Sequence, residues 1–375
     1  MKRTGCVIIC LLVAVLSSAK TSFVYDVGFE MNFDNREFYK SAFSRSMTIF
    51  GARLTPEIGL EFVPGTDMSH RLMVGADMMK DFGTSLQKDI FRELTLYYTM
   101  EKDFGDTDMT LHAGIFPRRK MEGCYSEVFF SDSLKFYDSN LEGILLKFER
   151  PDAVFELGCD WMGKYGPECR ERFMVFSSGE RKVAPILRIG YSAYMYHFAS
   201  SEQVHGVVDN ILLNPYARFD FGHLMDFDEF SVRLGWLMGM QNDRRARTGY
   251  VFPGGGELDL EVRKWNFGVK NSMYYGTDMM PFYNNLDAGG FKYGNHLYMG
   301  DPFYRIHDES SKGGPGLYDR LDVYWTPLHN EYIDVKIGAM FHFHDFRYSG
   351  CQQVVKLCFN LYGLIGRKTD KIWRS

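Results

Sequence analysis

His342 and His344 stand two residues apart in an extended run, so both rings leave the same face of a strand. Two such rings can begin a metal site, but no third or fourth ligand accompanies them, and lining a polar surface is the better reading. Carboxylates recur at even spacings: Asp26 and Glu30, Glu57 and Glu61, Glu156 and Asp160, then Glu257, Asp259 and Glu261. Carboxylate pairs serve glycosidases, yet alternation alone generates these, and they carry no specific catalytic signal. The runs Pro253-Gly254-Gly255-Gly256 and Gly313-Gly314-Pro315-Gly316 precede no helix and make no phosphate cradle. No G-x-S-x-G elbow, H-E-x-x-H helix or phosphate-binding loop occurs. The chemistry therefore points away from an enzyme: no catalytic residue, no cofactor and no metal are expected.

The elements that would hold these side chains are strands. From Phe23 to Asp34 every odd position is large and apolar, while Asp26, Glu30, Asn32 and Asp34 occupy even ones. Side chains of a strand alternate faces, so this segment has one greasy face and one wet face. The pattern recurs around Ile58–Phe62, Leu72–Met78, Leu94–Met100, Phe155–Trp161, Leu258–Val262 and Ile333–Phe343. Several runs reach ten residues or more, against about five or six in soluble sheets, and a tilted membrane strand needs about 9–11.

The breaks between runs are asymmetric. Short ones fall at Val63–Ser69, Lys102–Thr107, Glu149–Asp152, Ser178–Lys182, Gly222–Asp228, Arg263–Asn266 and Thr326–Glu331. Those in between are generally longer: Asp34–Ser46, Lys80–Arg92, Pro117–Ser139, Gly163–Glu171, Ser200–Gly206, Asn242–Gly255 and Thr277–Gly316, with a short last one at Asp345–Gly350. Short turns on one side and long loops on the other describe an all-β, antiparallel transmembrane barrel of about 16 strands, with 14 to 18 compatible. Aromatics near strand ends (Phe33, Phe62, Phe148, Trp161, Phe221, Trp325 and Phe343) would form the two interfacial girdles.

The N-terminus reads as an export signal. Lys2 and Arg3 precede an apolar core from Val7 to Leu16 and the small residues Ser17-Ser18-Ala19, so residues 1–19 are expected to be a cleaved signal peptide. The barrel then occupies 20–365 and a short periplasmic tail 366–375. Cleavage takes the formal charge from −5 to −7 and leaves Cys124, Cys159, Cys169, Cys351 and Cys358, with no CxxC pair among them. A disulfide between Cys124 and Cys169, both in long loops, is one arrangement left open. The acidic balance argues against a nucleic-acid partner.

Strand parity assigns a set of charges to the lumen: Asp26, Glu30, Arg53, Glu57, Glu61, Arg71, Asp77, Glu93, Glu156, Asp160, Arg188, Arg218, Asp220, Arg233, Glu257, Asp259, Glu261, Arg320, Asp322, Asp334 and Lys336, with Glu101, Lys147 and Lys356 beside them. A barrel this wide is expected to hold water, so such charges are tolerated inside. Acids exceed bases, which favours cations or neutral, sugar-like solutes over anions. The loop Pro117–Ser139 is the candidate constriction, through Arg118, Arg119, Lys120, Glu122 and Glu127. Thr277–Gly316 is rich in aromatics that could stack on sugars or pack as a lid. Arg244, Arg245 and Arg247 could meet lipopolysaccharide phosphates.

Three segments carry a resemblance: Thr48-Ile49-Phe50-Gly51-Ala52-Arg53-Leu54-Thr55-Pro56-Glu57, Gly114-Ile115-Phe116-Pro117-Arg118, and Gly300-Asp301-Pro302-Phe303-Tyr304-Arg305. With the overall pattern, they resemble Gram-negative outer-membrane porins, especially the porin-like barrels of the Bacteroidetes. The resemblance implies an outer-membrane channel for passive diffusion of small polar solutes, in contact with outer-membrane lipid and lipopolysaccharide and often a homotrimer. The chain departs from that pattern in carrying Gly366–Ser375 after its last strand instead of ending on an aromatic residue. Two other readings stand beside it: a barrel serving as pedestal for an enzyme or adhesin, and a secreted β-rich carbohydrate-binding protein.

Overall fold

The structure is a computed structural model that describes residues 20–84, 89–247, 249–306 and 314–365. The expected signal peptide and the 366–375 tail lie outside the described residues. Sixteen antiparallel strands close into one barrel: β1 (Lys20–Glu37), β2 (Met47–Val63), β3 (Met68–Asp81), β4 (Phe91–Asp103), β5 (Asp108–Pro117), β6 (Asn140–Arg150), β7 (Ala153–Gly163), β8 (Arg172–Ala184), β9 (Leu187–Phe198), β10 (Val208–Asp220), β11 (Glu229–Asp243), β12 (Gly254–Lys264), β13 (Phe267–Gly276), β14 (Gly316–His329), β15 (Ile333–His344) and β16 (Arg347–Ile365). Each strand pairs with its sequence neighbours, and β1 pairs with β16 from Phe23↔Ile365 to Glu37↔Cys351. That seam leaves no free edge, as hydrocarbon requires of any sheet that crosses it.

Alternation decides which face is outside. Leu72, Leu94, Leu96, Ile144, Leu157, Ile189, Leu234, Trp236 and Val323 are exposed on the outer surface, where lipid would cover them. Aromatics pair on the strand ends: Phe33 with Phe50, Phe148 with Phe155, Trp161 with Phe173, Phe267 with Trp325, and Phe343 with Tyr348. Asn271, a polar residue on this outer face, donates to the Asp319 carboxylate at 2.6 Å.

The turns follow local chemistry. Trp265-Asn266 and Asp345-Phe346 adopt positive φ at both positions, the two-residue hairpin geometry whose twist matches that of the strands. One expected break is corrected. Residues Ser178–Lys182 are not a turn but the second half of β8. Ser178, buried, and Glu180, half-buried, belong to the barrel interior, whereas Arg181 and Lys182 are exposed near the strand end, and the chain reverses at Pro185-Ile186 instead.

The interior is also fuller than a simple water-filled lumen. Two loops fold inward from the mouth opposite the chain ends. Loop A spans 118–139 and carries the helix α1 (Asp132–Tyr137), capped by the Ser131 hydroxyl, which accepts from the Leu134 N–H at 3.1 Å. Loop B lies between β13 and β14, and its described part that folds inward is 277–306. Their rings supply the buried apolar cluster: Phe129, Phe130, Phe282, Tyr293, Tyr298, Phe303 and Tyr304 pack against wall residues such as Phe116, Tyr194, Tyr274 and Tyr318. Burying aromatic area there offsets the entropy of ordering two long loops.

The outer face yields a quantitative expectation. Leu96→Arg, mid-way along β4, should destabilise the barrel in lipid vesicles by about 2–4 kcal/mol. Denaturant unfolding should show that loss, whereas Leu96→Ile should be close to neutral.

Candidate functional site

The candidate site is the interior wall together with the two inward loops. Of the charges assigned inward, Asp26, Arg53, Glu57, Glu61, Asp77, Glu156, Asp160, Glu257, Arg320 and Asp322 are buried. Glu30, Arg71, Glu93, Arg188, Arg218, Asp220, Arg233, Asp259, Glu261, Asp334 and Lys336 are half-buried. Most are paired along the wall. Arg71 bridges Glu61 at 2.8 Å and Glu101 at 2.6 Å. Arg188 meets Glu180, Arg218 meets Glu229, Arg233 meets Asp259, and Arg53 meets Asp77. Arg320 forks onto Asp322 with two bonds of 2.8 Å. Asp220 instead accepts from the Gly222 N–H in its turn, and Asp334 meets His329 near the opposite end of β14 from the loops. Lys336 lies 4.0 Å over the Tyr324 ring.

Loop A is fixed to this wall by the residues proposed for the constriction. Arg118 reaches Asp160 at 3.0 Å and Asp138 at 3.4 Å. Arg119 reaches Asp26 at 3.1 Å and Glu57 at 3.9 Å, and those carboxylates hold its guanidinium strongly protonated against the effect of burial. Lys120 lies over the Tyr97 ring at 5.5 Å, and its ammonium titrates below the usual lysine range because it is buried beside Arg119. Glu122 bridges Lys147 at 2.7 Å, and Glu127 stands 3.9 Å from Lys135.

One carboxylate ties both loops to the barrel. Glu257 on β12 accepts from Ser126 of loop A, from the Tyr304 hydroxyl of loop B at 3.1 Å, from Asn214 at 2.7 Å and from Arg233 at 3.0 Å. The loops also join each other, through Asp301 N–H to Glu127 O at 2.8 Å and Ser131 N–H to Met299 O at 3.0 Å. Gly300 is required at this crossing, since a Cβ there would stand 1.9 Å from the Val128 carbonyl oxygen. Sequence reasoning missed the neutral partners of the wall, among them Asn140, Asn214, Tyr97 and Gln352, whose signal was the same strand parity that placed the charges; Tyr125, in loop A, carried no such signal.

His342 bonds Tyr318 and Gln352, each at 2.9 Å, and Gln352 donates to Asp34. His344 bonds Ser349 Oγ at 2.8 Å through Nδ1 and the Phe303 carbonyl at 3.0 Å through Nε2. Among the described residues no group of three or more His, Cys, Asp or Glu could hold a metal. Cys124 and Cys169 are both free, the former with its N–H on Ser178 inside the barrel and the latter exposed. Arg244 forks onto Asp209 at 2.8 Å, and Arg245 donates to the Leu286 carbonyl.

Solved outer-membrane proteins share this architecture. OprD from Pseudomonas aeruginosa superposes with a TM-score of 0.51 at 11% identity, covering 91% of this chain and 93% of that one. A loop-deletion mutant of OmpT from Vibrio cholerae gives 0.51 at 9% identity, covering 92% and 100%. At such identities the likeness is one of fold, a porin-like outer-membrane barrel. No curated protein matches the sequence. The family profile described as lipid A 3'-O-deacylase-type matches residues 19–285. The chain belongs to the lipid A 3'-O-deacylase-type family. Within the family segment, Thr99 and His112 form a hydroxyl–imidazole pair at 2.8 Å, but both are buried inside the barrel. The Ser349–His344 pair lies beyond that segment, where β15 meets β16.

The contact of loop B has a pH signature. Burial raises the Asp301 carboxyl to about 7, against the opposing pull of Arg320 and the Phe303 N–H. A raised carboxyl stabilises the docked state fully below its unfolded value of 3.8, and that contribution is lost as pH rises through about 7. Amide hydrogen exchange around 298–306, corrected for intrinsic rates, should therefore show weaker protection at about pH 8 than at about pH 5. Asp301→Asn should remove the difference.

Proposed function

We propose that the protein is an outer-membrane channel that passes small polar solutes, with cations and neutral sugar-like molecules favoured over anions. The observation that supports this best is the contrast between the two barrel faces. The exterior is apolar, while the interior carries charge from the turn end, where Arg188 and Arg218 stand, to the loops at the mouth. A charged inner wall is useful only where water and solutes reach it. Acids outnumber bases among these positions, which is the basis for the cation preference. Loops A and B narrow the passage, so small unitary currents are expected. Export by a cleaved signal over 1–19, and a periplasmic position for 366–375, belong to the same reading, as does a homotrimer.

Family membership favours a second reading, hydrolysis of acyl esters in an outer-membrane lipid. The Ser349–His344 pair supports it, since a hydroxyl within hydrogen-bond reach of an oriented imidazole is how such nucleophiles are built. It ranks second because this pair falls outside the family segment, and the buried Thr99–His112 pair within it is closed to a diacyl lipid.

Two measurements separate these readings. Purified protein in planar bilayers should give discrete conductance steps with a reversal potential on the cation side in a salt gradient. Replacing loop B by a short Gly-Ser turn should raise the conductance several-fold. Absence of steps from both proteins would remove the channel reading. Fatty-acid release from lipid A vesicles, lost in His344→Ala, would establish the hydrolase instead.

A further inference from the structure

The β10–β11 connection, residues 221–228, makes one helical turn at Gly222–Met225 and leaves Leu224 63% and Met225 54% exposed. Strand parity shows on which side of the wall it lies. Lys264, the last residue of β12, is the register partner of Phe267, so both side chains leave the same face. Phe267 stacks on Trp325 in the girdle, and that face is the outer one. From there the Lys264 ammonium donates to the Asp226 carbonyl at 2.6 Å and to its carboxylate at 2.9 Å. The same ammonium lies over the Phe227 ring at 5.4 Å and the Trp265 ring at 5.2 Å. The Trp265 backbone N–H donates to the Asp228 carboxylate at 3.0 Å. Two neighbouring turns are therefore clasped together outside the cylinder, not beneath its lumen. Trp265 is 79% exposed and holds a φ of 51°, in the left-handed region that a bulky residue rarely adopts. Asn or Gly suits that turn position better, so the indole stands there against both the local backbone preference and water.

The rings beneath the clasp continue the outer band without a break. Phe219 lies 6.3 Å from Phe221, Phe221 lies 5.5 Å from Phe230, and Phe230 lies 5.9 Å from Phe227. Phe230 is the register partner of Val262 on the lipid-facing side. We propose that the clasp is an interfacial foot, in which Leu224, Met225 and Trp265 insert into the headgroup–acyl boundary of the periplasmic leaflet. The occupant of this face is phospholipid, because its apolar surface is continuous with one that lipid covers. An indole suits that boundary, with an apolar ring and a polar N–H. Lys264 is neutralised by Asp226, so seating the clasp brings no unpaired ammonium toward the acyl chains. Girdle aromatics stand on strands and follow from the wall crossing the bilayer. The foot is a turn beyond the strand ends, and it fixes the height at which β10 to β13 sit. It serves a conducting and a hydrolysing barrel alike.

Fluorescence of the full chain in phosphatidylcholine vesicles tests this. Subtracting the spectrum of Trp265→Phe from that of the unaltered chain isolates the Trp265 emission, with Trp265→Tyr as the reference should the first variant not close. Lipids brominated near the headgroup should quench that emission about two-fold, more than lipids brominated near the chain end, and aqueous iodide should leave it nearly unchanged. Leu224→Asp combined with Met225→Asp should remove most of the bromolipid quenching and admit iodide, since the foot then has no apolar tip to seat. Unaltered heat-dependent gel mobility would certify that the variants remain closed barrels. Quenching by iodide and not by bromolipid in the unaltered chain would place the turn in periplasmic water and overturn the proposal. Protection from both quenchers would overturn it equally, with a doubled particle mass in detergent assigning the face to a second copy.

Discussion

Everything in this molecule follows from the poverty of hydrocarbon as a hydrogen-bonding medium. A backbone N–H or C=O left open there costs several kcal/mol. Sixteen strands answer that demand jointly, and the seam between β1 and β16 is what makes the answer complete. Once the cylinder is closed, the side-chain period of two divides its residues into those that meet lipid and those that do not. Charges such as Glu57, Asp160 and Glu257 become acceptable because they face inward to partners.

Closure creates a wide interior, and the protein fills much of it with its own loops. The cost of immobilising loops A and B is offset by aromatic burial and by hydrogen bonds to charged acceptors, which are roughly twice as strong as neutral ones. Glu257 concentrates this: two loops and two strands converge on one carboxylate. Family membership and interior chemistry thus pull in different directions. The family profile speaks to residues 19–285, whereas β14, β15 and β16 lie wholly beyond it.

The barrel was legible because period-two alternation is a direct imprint of a two-sided environment. Phe23–Asp34 announces both faces, and the loop–turn asymmetry announces a membrane. The exception at Ser178–Lys182 has the same origin, since polar residues of an inner wall look like a turn when read one at a time, and Pro185 marks the real reversal. The loops were less legible. Nothing local tells that Phe303 folds inward against His342 at 4.0 Å, because that contact joins residues far apart in sequence. Nor does charge counting distinguish the tight Arg320–Asp322 fork from the 3.9 Å separation of Lys356 and Asp132.

Gly300 shows how narrow the tolerance is where the loops cross. With the Val128 carbonyl so near, no other residue type fits without parting the two segments. The mouth of the barrel is thus latched at a spot where a single missing side chain, not a strong bond, sets the fit. Such a latch has little elasticity: a side chain at this position would part loop B from loop A, while loop A stays held to the wall by its own ion pairs.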